Sequence, residues 1–292
     1  MTKRAFVECR RLIHLCGDIH VRPRITSKYD HLAKVRYILD KLISTMRKGW
    51  IVGKRITIDE SMIKYCGRAI SFIQYMPKKP IKHGIKVFAL CCAYTGYLLS
   101  FEVYLGKEVE TTDNSALQVV DRLINKADLI HCKERILYSD NWYTTTRLAK
   151  YLYETNQWLF VGTVVTNESK DRNENSIPFR KLSSGALKKV NRGWMRKATL
   201  PVTGNTPLYG NKKEEYHIQC TTWKDKKQVT FLHTHLVKND GDTTVKQHVK
   251  GQRQRINLNA PPIQPEYSKY FNAVDVNDHD SADYSVSIRI NR

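Results

Sequence analysis

From Tyr29 to Met46, apolar side chains fall at Leu32, Val35, Ile38, Leu39, Leu42, Ile43 and Met46. This alternation of three- and four-residue steps predicts an amphipathic helix. Lys34, Arg36, Lys41 and Arg47 fall mostly between the apolar positions, and Gly49 is the stop signal. Beyond it the pattern changes. Ile56-Thr-Ile-Asp59 begins a strand, Ile85 to Ala93 forms a second, and Leu98 to Leu105 forms a third after the turn Tyr94-Thr-Gly-Tyr97. The last two read as a hairpin. Thr111 to Ser115 offers capping residues before a helix over Ala116 to Lys126, with Leu117, Val120, Leu123 and Ile124 on one face. Arg135 to Ser139 is a fourth strand running into Asp140, Thr144 to Glu154 a helix, and Gln157 to Val164 a fifth strand. The order β-β-β-α-β-α-β combines an antiparallel hairpin with helix-linked strands that favour parallel pairing. The fold class is therefore α/β, with a mixed sheet and flanking helices.

The periods fade after residue 165. Asn167 to Asn175 is polar, and Gly185, Gly193, Gly204 and Gly210 punctuate the stretch beyond it. Tyr216 to Trp223 and Gln228 to Leu236 read as a hairpin across Lys224-Asp-Lys-Lys227. Four segments result: a helical segment (1–55), an alternating core (56–165), a β-rich insertion (166–255) and a tail (256–292).

Charge sharpens this division. The 292 residues carry 49 basic and 28 acidic side chains, net +21. The four segments carry net charges of +10, +2, +11 and −2 in order. Such a surplus suits a polyanion, nucleic acid first. A near-neutral core between two basic blocks suits an enzyme that sets a few acids against a phosphodiester held by basic flanks. The 41% apolar content argues against wholesale disorder. No apolar run reaches membrane-span length, so a membrane partner is not expected. The start lacks an apolar signal core, so secretion is not expected. The seven cysteines contain no C-x-x-C pair. They read as free thiols rather than a zinc site.

The acids carry the candidate chemistry. Asp59 lies on the first strand and Asp140 ends the fourth. Ligands in such sheets bind where strand ends open a crevice. If those strands are neighbours, both acids can meet one metal; each alone could instead cap the next element. Asp275 and Asp278 are three residues apart, on one face if helical, and could equally be the acids of a helix N-terminus. Carboxylates suit Mg²⁺, and two such ions can activate a water or a 3′-hydroxyl without a protein base. Glu60 should face the other side of its strand from Asp59. Lys78, Lys79, Lys82 and Lys86, with Arg68 nearby, are candidate phosphate contacts or solvated loop charge. Trp142 and Tyr143 could stack on an unpaired base but are expected to pack under the site loop. His233 and His235 read as surface histidines.

These residues carry a resemblance. Arg55-Ile-Thr-Ile-Asp-Glu-Ser-Met-Ile-Lys-Tyr-Cys-Gly-Arg68, Tyr75 to Lys86, Tyr138-Ser-Asp-Asn-Trp-Tyr143 and Asn272-Ala-Val-Asp-Val-Asn-Asp278 resemble the piggyBac family of DDE transposases and its domesticated derivatives. The resemblance runs along essentially the whole chain and is weakest over 166–255. It implies an RNase H-like catalytic domain with an insertion before the last catalytic helix. By motif match, Asp59, Asp140 and Asp275 would be the catalytic, Mg²⁺-holding acids, with Asp278 an additional acid; Mn²⁺ would substitute. It further implies cleavage, hairpin formation and joining at TTAA sites on double-stranded DNA, homodimerisation in the full-length family, and a nuclear location. Residues 1–55 would be part of an N-terminal dimerisation and DNA-binding region. The chain departs from the pattern at Asn272-Ala273, where the family has Gly-Gly, and at His279, where it has Gln. Both ends look short of the family's, and the C-terminal cysteine/histidine module is not expected here. The alternative is a domesticated or truncated DNA-binding derivative without transposase activity.

Overall fold

The computed structural model describes residues 30–65, 70–77, 79–106, 115–164, 189–202, 216–234, 243–248 and 255–283. Helix α1 spans Ala33–Gly49. Strands β1 (Arg55–Lys64), β2 (Ile73–Tyr75), β3 (His83–Cys92) and β4 (Leu98–Val103) come next. They lead to helix α2 (Ala116–Lys126), β5 (Ile136–Ser139), α3 (Thr146–Tyr151) and β6 (Leu159–Val164). Strands β7 (Met195–Val202), β8 (Tyr216–Lys224), β9 (Gln228–His233), β10 (Thr243–His248) and β11 (Arg255–Ala260) precede α4 (Ile263–Tyr270) and α5 (Ala273–Asp283). No helix is long and apolar enough to cross a membrane.

The mixed α/β sheet is as expected. It has nine strands among the described residues, in the order β2-β3-β1-β5-β6-β9-β8-β7, with β4 also on β3. β1 and β5 are parallel, as are β5 and β6, while β3 is antiparallel to β1 and β4. The helical crossovers through α2 and α3 are what allow the parallel pairs. The β7–β9 hairpins lengthen this same sheet through the antiparallel β6–β9 pair. β10 and β11 form a separate ribbon.

Each face of the sheet buries its own layer. On one side Ile56, Ile58, Leu90 and Leu137 pack under Val120, Leu123 and Ile124 of α2 and Leu148 of α3. On the other, Ile136, Tyr138 and Val161 meet Ile263, Tyr267 and Tyr270 of α4. The β5 strand is buried on both faces, as a central parallel strand must be. After α3 a π-helical turn over Leu152–Asn156 ends on a left-handed residue, Gln157 (φ 56°). α1 lies against β4, its end fixed by a Tyr97 hydroxyl bond to the Met46 carbonyl at 3.1 Å. Tyr37 and Leu42 of α1 remain exposed.

Candidate active site

Residues Arg55 to Ile58 of β1 pair with Ile136 to Ser139 of β5. Asp59 and Asp140 are the next residues on the two chains, so they stand side by side where parallel pairing stops. Alternation along β1 sends Ile56 and Ile58 into the core and turns the odd-numbered positions to α4 and α5. There the Thr57 hydroxyl donates to the Tyr270 carbonyl at 2.5 Å, and the Ser61 hydroxyl donates to Asp278 Oδ1 at 2.5 Å.

The loop after β5 holds Asp140. The Trp142 N–H donates to its Oδ1 at 2.9 Å, and the Thr144 hydroxyl donates to its carbonyl at 2.6 Å. Gly162 on β6 makes room for this turn: a Cβ there would lie 2.1 Å from Thr144 Oγ1 and 3.0 Å from Ser139 Oγ. Tyr143 is buried under the loop as expected, whereas Trp142 stacks on Phe88 at 5.6 Å and 16° and stays 38% exposed, which corrects its reading as a packed residue.

Carboxylate oxygens of Asp59, Glu60 and Asp140 lie within 4.8 Å of one another. The expectation that Glu60 points away is corrected. Its backbone position does belong to the opposite face, and it is buried, but β5 has already ended at Ser139. No neighbouring β5 residue flanks Glu60, so its longer side chain reaches the mouth of the strands. The Lys86 ammonium, 3.3 Å from Glu60 Oε1, braces it from behind.

Helix α5 brings the late acids. Ala273 and Val274 pack on Ala89 and Cys91 of β3, whose small side chains let the helix backbone approach. The turn before β4 also meets α5: Gly96 has φ +71°, and a Cβ there would lie 3.0 Å from Val276 Cγ1. Asp278 is tied to Ser61, as above. Asp275 is not in the three-carboxylate group. It reaches Asp59 through Lys79, whose Nζ is 3.3 Å from Asp59 Oδ2 and 3.5 Å from Asp275 Oδ1.

Crowding marks the electrostatics. Burial pushes the Asp59 carboxyl up to about 6; Lys79 opposes the shift and Glu60 adds to it. Burial likewise raises Asp140, and it raises Asp278 against the lowering effect of the Ser61 bond. Burial works against the Lys79 ammonium, yet the carboxylates of Asp59 and Asp275 outweigh it and hold its pKa above the ordinary value. Half-buried negative charge of this kind is what a divalent cation relieves. The donors are all hard carboxylate oxygens, which fits Mg²⁺ or Mn²⁺.

The five basic candidates do not form one group. Lys79 lies among the acids. Lys86 sits over the Phe88, Trp142 and Tyr104 rings at 4.8, 5.3 and 5.6 Å. Lys82 is exposed, and Arg68 and Lys78 lie outside the described residues. His233 is buried on β9, which corrects its surface reading; His235 lies outside the described residues. Alternation alone set Glu60 aside, and Lys79 read as a phosphate contact or loop charge rather than as a cation among the acids. The pairing of Glu60 with Asp59 in one Asp-Glu step was the visible signal for the first.

A family model described as Transposase IS4 matches residues 10–292. Among solved structures, the piggyBac transposase in a synaptic complex with hairpin DNA is similar over 100% of this chain and 53% of its own, at 23% identity and TM-score 0.71. The chain thus spans about half the length of that relative. The Mos1 transposase paired-end complex with left transposon end gives TM-score 0.23 at 15% identity, over 54% of this chain and 49% of its own, too low to compare folds.

Proposed function

The chain belongs to the Transposase IS4 family of DDE transposases, and from that premise we propose that Asp59 and Asp140, set where the parallel pairing of β1 with β5 stops, cut and rejoin DNA strands with a divalent metal. One observation carries the reading: Asp59 and Asp140 each come directly after the last paired residue of two adjacent parallel strands, with carboxylate oxygens within 4.8 Å. Asp59, Glu60 and Asp140 would hold the metal, with Asp275 joining once Lys79 no longer lies between it and Asp59. The bound ion would supply Lewis-acid stabilisation of charge on the phosphodiester and an activated water or 3′-hydroxyl.

The protein's own part is positioning. The β1–β5 pairing sets the spacing of Asp59 and Asp140. The Trp142 N–H and Thr144 hydroxyl fix the Asp140 loop, and the Ser61 hydroxyl fixes Asp278. Trp142 and Phe88 keep one flank of the site apolar, and burial keeps the carboxylates poorly hydrated, which strengthens their pull on a cation. The partner is double-stranded DNA, held through the basic surplus of the chain. By the family resemblance the targets are TTAA sites, the metal is Mg²⁺, the assembly is a homodimer and the compartment is the nucleus.

A second reading, DNA binding without cleavage, draws on the net charge of +21, which is independent of the acids. Strand cleavage of a labelled TTAA-flanked duplex at low salt, with Mg²⁺ or Mn²⁺, separates the two. Metal-dependent nicking that disappears in Asp140→Ala supports the nuclease reading. Tight, salt-sensitive binding with no nicking in either protein supports the second.

A further inference from the structure

From the sequence Lys79 reads as a phosphate contact or a solvated loop charge, yet its side chain is only 19% exposed. The reason is the path of the chain. The Met76 N–H donates to the Lys82 carbonyl at 2.8 Å, and the Lys79 N–H donates to the Met76 carbonyl at 3.1 Å, closing a tight turn between β2 and β3. That turn brings Lys79 back to the middle of β1, where its ammonium meets Asp59. Its ammonium bridges Asp59 and Asp275 and also feels Glu60, Asp140 and Asp278. The other cation at the site, Lys86, is engaged by Glu60 and the aromatic rings.

We propose that Lys79 is a built-in stand-in for the metal: its ammonium fills the gap between the first and last acids, holds them together, and must leave before a divalent cation can bridge them. An ammonium keeps its oxygens more than 3 Å away here, whereas Mg²⁺ draws ligands to about 2.0–2.1 Å. The two cannot share the gap, and two positive charges there repel. Lysine is suited to such exchange, being a compact charge on a long flexible stem. The consequence is a site that stays folded without metal, at the cost of weaker metal affinity. A positioning lysine that only oriented ligands would act in the opposite sense on affinity.

The inference rests on the metal site proposed above, so the test separates the two. Mn²⁺ binding is titrated by EPR of the free ion in wild type, Lys79→Met, Lys79→Arg and Asp140→Ala, and each protein is melted in chelator. Lys79→Met keeps the apolar stem and loses the charge. It should bind Mn²⁺ about tenfold more tightly, an ordinary size for removing one close like charge. It should melt lower than wild type in chelator and regain that loss when Mn²⁺ is added. Lys79→Arg should keep the wild-type pattern in direction, with metal still opposed by a cation. Should Lys79→Met fold only with Mn²⁺ present, that dependence itself supports the stand-in role. Asp140-dependent Mn²⁺ binding in wild type, with Lys79→Met binding no tighter, overturns the assignment of Lys79 alone. Absence of Asp140-dependent Mn²⁺ binding in wild type overturns the metal site, and the stand-in role falls with it.

Discussion

Replacing Asp59 by Asn should stabilise the protein while abolishing its response to metal. The carboxyl is pushed up to about 6 from an ordinary 3.8. That gap is worth about 3 kcal/mol once the group is ionised. Proton binding sets the sign. On raising pH, the unfolded chain loses this proton first, near 4, while the folded chain keeps it until about 6. Asp59 therefore costs nothing below about pH 4, and its cost grows as pH rises through 4 to 6. The Asp59→Asn side chain removes that cost and can still accept the Glu60 N–H, now at 2.8 Å from Asp59 Oδ1. The attraction of Lys79 at 3.3 Å is already counted in that value, and Lys79 keeps Asp275 at 3.5 Å; what takes back part of the gain is the burial of an amide that has lost a partner. A net gain of about 1–2 kcal/mol remains at pH 7.5, or a rise in melting temperature of about 2–5 °C for a chain of this size. Thermal melts in chelator at pH 7.5 and pH 4 measure it. The gain should shrink towards zero at pH 4, and added Mn²⁺ should raise the melting temperature of wild type only. A variant that melts at or below wild type at pH 7.5, or whose advantage is unchanged at pH 4, would refute the reasoning.

Gly162→Ala should cost about 1–3 kcal/mol in urea unfolding, because its Cβ collides with Thr144 Oγ1, and should weaken Mn²⁺ binding by displacing the Asp140 loop. Wild-type Mn²⁺ affinity in that variant would show that the loop relaxes elsewhere. Glu60→Gln should lower Mn²⁺ affinity about tenfold by removing one of three charged ligands, read by the same titration; unchanged affinity would exclude Glu60 from the ligand set.

How much of this was legible in the sequence depends on how local each feature is. The helices α1 and α2 arise from three- and four-residue periods, and Gly49 ends α1 where expected. Asp59 and Asp140 were readable because each closes a short apolar run, although only Asp140 follows the end of its strand, since β1 continues to Lys64. Their meeting needed β1 beside β5, which the helix-linked topology favours. The rest is set by long-range structure. Strict alternation places Glu60 on the far face, and only the early end of β5 frees its carboxylate to come round. Lys79 sits in a run of prolines and lysines that looks like an exposed loop; its burial depends on where that loop crosses the sheet. The three-residue β2 is too short to show an alternation, and the antiparallel join of β6 to β9 carries no local signal because its pairing partners lie far apart in the chain. Helix α4 begins directly after Pro261 and Pro262, where proline is tolerated at a helix start, and its eight residues are too short to show a clear period.

A metal centre at Asp59 and Asp140 is tested most directly by crystals soaked in Mn²⁺, using anomalous scattering at the manganese edge. The account predicts a peak about 2–2.3 Å from carboxylate oxygens of both Asp59 and Asp140, with the Lys79 ammonium withdrawn from Asp59. Manganese bound elsewhere, with Lys79 still bridging Asp59 and Asp275, would contradict it.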